Sequence, residues 1–171
     1  MSIRGIVIYT LRAAIFAASV CAIYALVCRL RGHRLRWERL LAVAYFAALV
    51  QITVLRGGVD WARVLAGGRG IPQLIPLRTT LSELRGGLWR FIYHTVGNLS
   101  WFAPLGLMLR RKGPGTALLA GAGMSAMIEL MQFLLRTGVT DIDDVIFNAL
   151  GALLGWAIGR LVWQTEPRSE K

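Results

Sequence analysis

The chain has 171 residues, a formal net charge of +11 and only 17% charged residues, set against 56% hydrophobic residues and a mean hydropathy of +0.55. Soluble domains of this length carry about a quarter charged residues, and their helices show a polar face. The long apolar runs here show little of one, which argues against a soluble bundle and for a chain embedded in a membrane.

The first run, residues 6–28 (IVIYTLRAAIFAASVCAIYALVC), has Arg12 as its only charge. It exceeds the apolar stretch of about 7–15 residues found in signal peptides and lacks a small-x-small cleavage site, so it reads as a retained helix. Cys21 and Cys28 both lie in it and read as small packing residues. The second run, 40–55, is short for a bilayer core that takes roughly 20 residues. With its flanks it predicts a helix over about 38–56.

Residues 57–90 form the longest connection, and "IPQLIPL" within it places Pro72 and Pro76 among branched apolar residues. Proline removes a backbone donor and breaks helical periodicity. An apolar stretch so interrupted beside a membrane reads either as a re-entrant or surface-lying segment or as an ordinary ordered loop. Trp61 and Trp89 near its ends suit the headgroup layer.

Three further runs follow, at 91–109, 116–135 and 145–163. The first of these, the third run of the chain, contains Pro104, and in it His94 and Asn98 lie one turn apart. "RRKGPGT" separates the third run from the fourth with conventional breaker residues. The expected fold class is therefore all-α: one polytopic membrane helical bundle, residues 1–171, of about five transmembrane helices. A loop or re-entrant segment on the outer face joins the second helix to the third.

In a soluble protein, 18 arginines and 2 lysines would raise a nucleic-acid reading. Here they fall between the runs and report orientation. "RLRGHRLRWER" at 29–39 and "RRK" at 110–112 lie on the same side of an alternating bundle, which the positive-inside rule makes cytoplasmic. The expectation is a multi-pass cell-membrane protein, N-terminus outside and the C-terminal "TEPRSEK" inside, with no nucleic-acid partner. Six arginines in residues 56–90, on the outer side, pull weakly the other way.

The densest polar stretch is "ELMQFLLRTGVTDIDDVIFN", residues 129–148. Ser125, Glu129, Gln132 and Arg136 fall in one stripe of the fourth helix, with Gln132 able to donate to Glu129 and Arg136 able to lie above it. An ionised Glu129 inside the bilayer is costly unless paired or hydrated. Thr140 or Asp141 can cap the fifth helix, and Asp143 and Asp144 fit its first turn, where negative charge suits the helix dipole. Capping accounts for one or two acids; a third points beyond it. Asp144 and Asn148 share a face with Gly151, Gly155 and Gly159, whose small-xxx-small spacing admits another helix at close range. Two readings stand: a structural clamp, or an outer-leaflet binding pocket. Glu129, Gln132, Arg136, Asp141, Asp143, Asp144 and Asn148 would line that pocket, with His94, Asn98 and Arg78 contributing.

The segments "GNLSWFAPLGLML", "IELMQFLL" and "TDIDDVIFNALGALLG" resemble the motifs of VanZ-like membrane proteins. Asn98, Pro104, Gly106, Glu129, Gln132, Asp141, Asp143, Asp144, Asn148, Gly151 and Gly155 match position by position, and "LIPLRTT" at 74–80 resembles a weaker outer segment. Ala152 stands where the family has a second glycine, and "TGVTD" replaces its more usual approach to the acids. The resemblance implies an association with low-level teicoplanin resistance and no established reaction.

The functional expectation is a non-catalytic envelope protein that binds membrane lipid, or a lipid-linked cell-wall precursor or other anionic component. Arg78, Arg85, Arg90 and Arg136 would meet its phosphates. Neither cofactor nor metal is expected, and the 2 histidines leave zinc chemistry little support. The alternatives are a metal-assisted membrane enzyme that uses Glu129 and the aspartates, and a small proton-coupled transporter.

Overall fold

A computed structural model describes residues 3–55, 58–67 and 69–163. The expected helix end at Arg56 and the orientation of residues 165–171 fall outside the described residues. Seven helices and two very short strands are described: α1 (Ile3–Leu30), α2 (Trp37–Thr53), α3 (Trp61–Leu65), β1 (Pro72–Gln73), α4 (Arg78–Gly86), α5 (Leu88–Met108), α6 (Pro114–Leu135), β2 (Thr140–Asp141) and α7 (Ile142–Trp163). The all-α expectation holds at this level. Thr10–Leu30, Pro114–Leu135 and Ile142–Val162 are long and apolar enough to cross a membrane. α2 has 17 residues, and α5, though 21 long, interrupts its apolar sequence with His94, Asn98, Ser100 and Pro104.

α7 is the central helix and packs along both α5 and α6, while α1 packs on α2. Glycine makes the α5–α7 contact close. A Cβ on Gly155 would stand 1.9 Å from the Ala103 carbonyl oxygen, and one on Gly106 would stand 1.7 Å from that of Ala152. The small-residue stripe thus faces α5, and backbone meets backbone there. α2 joins the bundle through a core of Leu49, Val54, Phe102, Leu105, Ile128 and Ala152. Two polar contacts reinforce that joint. Tyr45 Oη donates to the Trp101 carbonyl at 2.8 Å, and Gln132 Nε2 donates to the Thr53 carbonyl at 3.0 Å. The second satisfies one of the carbonyls that a helix C-terminus leaves without an intrahelical partner.

The long connection carries more structure than its sequence announces. Asp60 caps the short α3 by accepting from Arg63 N–H. β1 pairs in parallel with β2, Pro72 opposite Thr140 and Gln73 opposite Asp141. Gly70 N–H donates to the Phe133 carbonyl at 2.8 Å, so the segment is bonded to the α6–α7 hairpin before the strand pair begins. α4 then runs to Gly87, whose φ of 131° lies in a region that only glycine enters freely, and α5 starts at the next residue.

Candidate functional site

The polar groups converge where α6 turns into α7 and where residues 70–80 lie across that turn. Asp143 is wholly buried and is the hub. Its Oδ1 accepts the Leu77 N–H, and its Oδ2 accepts both the Thr80 N–H at 2.9 Å and the Thr80 hydroxyl at 2.8 Å. Leu77, the N-cap residue of α4, has no side chain able to cap, so the carboxylate of a distant helix fills that role.

Asp141 begins α7. Its Oδ1 accepts the Asp143 N–H at 3.0 Å, the cap expected from the sequence, while its own N–H donates to Glu129 Oε2 at 2.7 Å. Burial pushes the Asp141 carboxyl above the ordinary carboxylate range. The Thr79 hydroxyl and the Asp143 N–H oppose that rise, and the neighbouring Asp144 and Asp143 charges add to it. Glu129, 5% exposed, also presents its backbone carbonyl to the Thr140 hydroxyl at 3.1 Å. On the other face of α7, Asp144 Oδ1 takes Asn98 Nδ2 at 2.6 Å and lies 3.2 Å from His94 Nε2. One turn further, Asn148 Nδ2 donates to the buried Ser125 Oγ at 2.8 Å.

The residues singled out in the sequence therefore separate into groups. Glu129, Asp141 and Asp143 form one chain of hydrogen bonds. Asp144, Asn98 and His94 form another, between α5 and α7. Gln132 does not donate to Glu129 as its stripe position implied; it reaches across to α2. Arg136 makes no ion pair or hydrogen bond with Glu129 among the described contacts. It closes α6 in a left-handed conformation, φ 54°, which turns the chain off the helical stripe and leaves its side chain exposed. Arg78 and Arg85 are likewise exposed, whereas Arg90 pairs with Glu83 at 2.9 Å. Among the described residues, no three His, Cys, Asp or Glu side chains form a group that could hold a metal ion.

Two participants, Leu77 and Thr80, were missed in the sequence. Thr80-Leu-Ser-Glu83 has the spacing of a capping box and could have flagged a helix start inside the connection. Nothing local could have named Asp143 as its acceptor.

Beside this network lies a cleft of about 330 Å³. Its walls are the Ala126–Phe133 face of α6, Ile142 and Val145 of α7, and Pro72 and Leu74, with Glu129, Thr140 and Asp141 as its polar groups.

The sequence profile of the VanZ/LLP1 family matches residues 42–163, from α2 to the end of α7. The chain belongs to the VanZ/LLP1 family. Family membership and the three long apolar helices together mark a membrane protein. Comparison with curated proteins and with solved structures returns no match. The matched region contains every element of the polar network and the cleft, so this VanZ-like chain carries its candidate site inside the family's shared segment.

Proposed function

We propose that this VanZ-like chain is a multi-pass protein of the bacterial cell membrane, with α1, α2, α5, α6 and α7 crossing it. The N-terminus faces outward and the C-terminus faces the cytoplasm. At its outer end it holds a lipid-linked or anionic envelope component, and it contributes thereby to resistance against teicoplanin-type glycopeptides. The observation that carries this reading is the clamp of Asp143 on the start of α4. It holds residues 70–86 against the α6–α7 hairpin and presents Arg78 and Arg85 as exposed cations at the bundle end that also bears Arg136. Exposed guanidinium groups suit phosphate oxygens at a lipid surface.

A binding role accords better with this geometry than a catalytic one. Asp143 and Asp144 are each turned to separate donors in the fold, and among the described residues no three His, Cys, Asp or Glu side chains gather into a group that could hold a metal ion.

Titration of the purified protein with vesicles containing phosphatidylglycerol tests the reading. Arg78→Gln and Arg136→Gln are expected to weaken binding and flatten its salt dependence. Equal binding by wild type and both variants would overturn it. Expression in a teicoplanin-susceptible host tests the resistance component, with a raised inhibitory concentration expected.

A further inference from the structure

The cleft beside Glu129 is not the arginine surface just described. Its walls are hydrocarbon: Ala126 and Leu130 on α6, Val145 on α7 and Leu74 on the crossing segment. Its polar part consists of acceptors. Glu129 is nine-tenths buried, and its Oε2 takes the Asp141 N–H. Its Oε1 takes no hydrogen bond from the described residues. The Thr140 hydroxyl proton is already committed to the Glu129 carbonyl, and the Asp141 carboxyl is already taken by the Asp143 N–H and the Thr79 hydroxyl. A carboxylate offers about four lone-pair positions, so acceptor capacity exceeds donor supply in an otherwise apolar space.

Size narrows the occupant further. Small-molecule sites run from about 300 to 1,000 Å³. At about 330 Å³ this cleft admits one hydrocarbon chain with a small head and excludes a bulky polycyclic antibiotic. Glu129 lies six residues before the end of α6, roughly 9 Å along the axis, and Ala126 is nearly one turn deeper. A head group near Glu129 and a tail running past Ala126 and Val145 would follow the direction of a lipid entering from the acyl region.

We infer that the cleft binds a lipid with a primary ammonium head, its N–H groups donating to Glu129 and one acyl chain lying between α6 and α7. The inference rests on the proposed function only in setting the bundle in a membrane. It adds a recognition element of opposite charge preference to the arginine surface.

The test places the full chain in nanodiscs that contain phosphatidylethanolamine, phosphatidylcholine and phosphatidylglycerol in equal proportion. Lipid retained after detergent washing is counted by native mass spectrometry. Choline keeps the positive charge and the chains but has no N–H donor, which makes it the deciding control. Ethanolamine lipid is expected at one copy per chain, favoured over choline lipid by about tenfold, the worth of a charge-assisted hydrogen bond. Glu129→Gln should erase that preference. Ala126→Trp, which fills the cleft and keeps the acid, should release the lipid altogether. Equal retention of ethanolamine and choline lipids by the wild type, or an undiminished preference in both variants, overturns the inference. Phosphatidylglycerol retention in the same spectra, and its loss on Arg78→Gln, reports the arginine surface separately. The two ideas can therefore fail independently.

Discussion

Asp143 accepts the backbone N–H of Leu77, a residue 66 positions earlier in the chain. Leu77 is one of two non-glycine residues with positive φ among those described, at 62°, a conformation unfavourable for a branched side chain. The carboxylate that accepts its N–H also accepts two hydrogen bonds from Thr80. The first turn of α4 is therefore held by α7 and not by its own side chains. Asp143→Ala removes three hydrogen bonds to a buried charge, at an expected cost of about 2–3 kcal/mol. Asp143→Asn, which keeps one acceptor and loses the charge, should fall between alanine and wild type. Thermal unfolding in detergent measures the loss. Hydrogen exchange at the Thr80 amide should accelerate in both variants while amides in the middle of α6 stay protected.

The five long helices were legible because composition alone marks them. The expected ranges 6–28, 38–56, 91–109, 116–135 and 145–163 lie within a few residues of α1, α2, α5, α6 and α7. Legibility ended where the contact partner is remote. The Pro72–Thr140 pairing and the Asp143–Thr80 bonds depend on how the bundle brings residues 70–80 over the hairpin, and no local periodicity encodes that. Arg136 illustrates the opposite failure. Helical spacing placed it above Glu129, but the stripe rule ends with the helix, and a left-handed cap redirects the next side chain.

The glycine face of α7 gives a prediction with an internal control. At Gly155 a methyl group would meet a backbone oxygen at 1.9 Å, and backbone cannot swing away as a flexible side chain can. Gly155→Ala should separate α5 from α7 and cost about 3 kcal/mol. At Gly123, on α6, a Cβ would meet nothing within 4 Å. Gly123→Ala should instead stabilise by about 0.5–1 kcal/mol, the helix-interior cost of glycine relative to alanine. Equal effects of the two substitutions in denaturation curves would rule out a close α5–α7 contact.

Ser125 and Asn148 form a buried pair between α6 and α7, in which Asn148 Oδ1 has no hydrogen-bond partner among the described residues. Ser125→Ala would strand the rest of the amide and should destabilise by about 1 kcal/mol, within the range for polar contacts between membrane helices. Asn148→Leu in the Ser125→Ala background removes the stranded group and should recover part of that loss. A double-mutant cycle with a coupling near zero would show that the pair contributes nothing.

Asp141 supplies a pH prediction. Its carboxyl is raised above the ordinary value, chiefly by burial, so the folded state holds the proton more tightly than the unfolded state does. The stabilisation linked to that proton is fully present below the unfolded value of about 3.9 and is lost as pH rises through the raised folded value. Asp141→Asn keeps an acceptor for the Asp143 N–H and does not titrate. The stability of wild type relative to this variant should therefore decline as pH rises across that window and level off above it. Paired thermal scans from pH 3.5 upward would read the difference, and a flat difference would show that the carboxyl is unperturbed.

The proposed orientation of the polar end can be tested on α6. At 22 residues and about 1.5 Å per residue, the helix is roughly 33 Å long, close to the thickness of a bilayer core. Gly113 precedes it, beside the basic 110–112 cluster, and Val139, 59% exposed, follows it in the hairpin beside the aspartates. If α6 crosses the membrane, these two positions lie on opposite faces, and the proposed orientation, with the basic cluster inside, puts Gly113 in the cytoplasm. In a background with Cys21 and Cys28 replaced, Val139→Cys should react with an impermeant maleimide on intact cells, and Gly113→Cys only after permeabilisation. Reaction of both on the same side would show that α6 does not cross. The reverse pattern would turn the Asp143 clamp, the arginines and the Glu129 cleft toward the cytoplasm, and the proposed meeting with outer-leaflet components would then have no surface on which to occur.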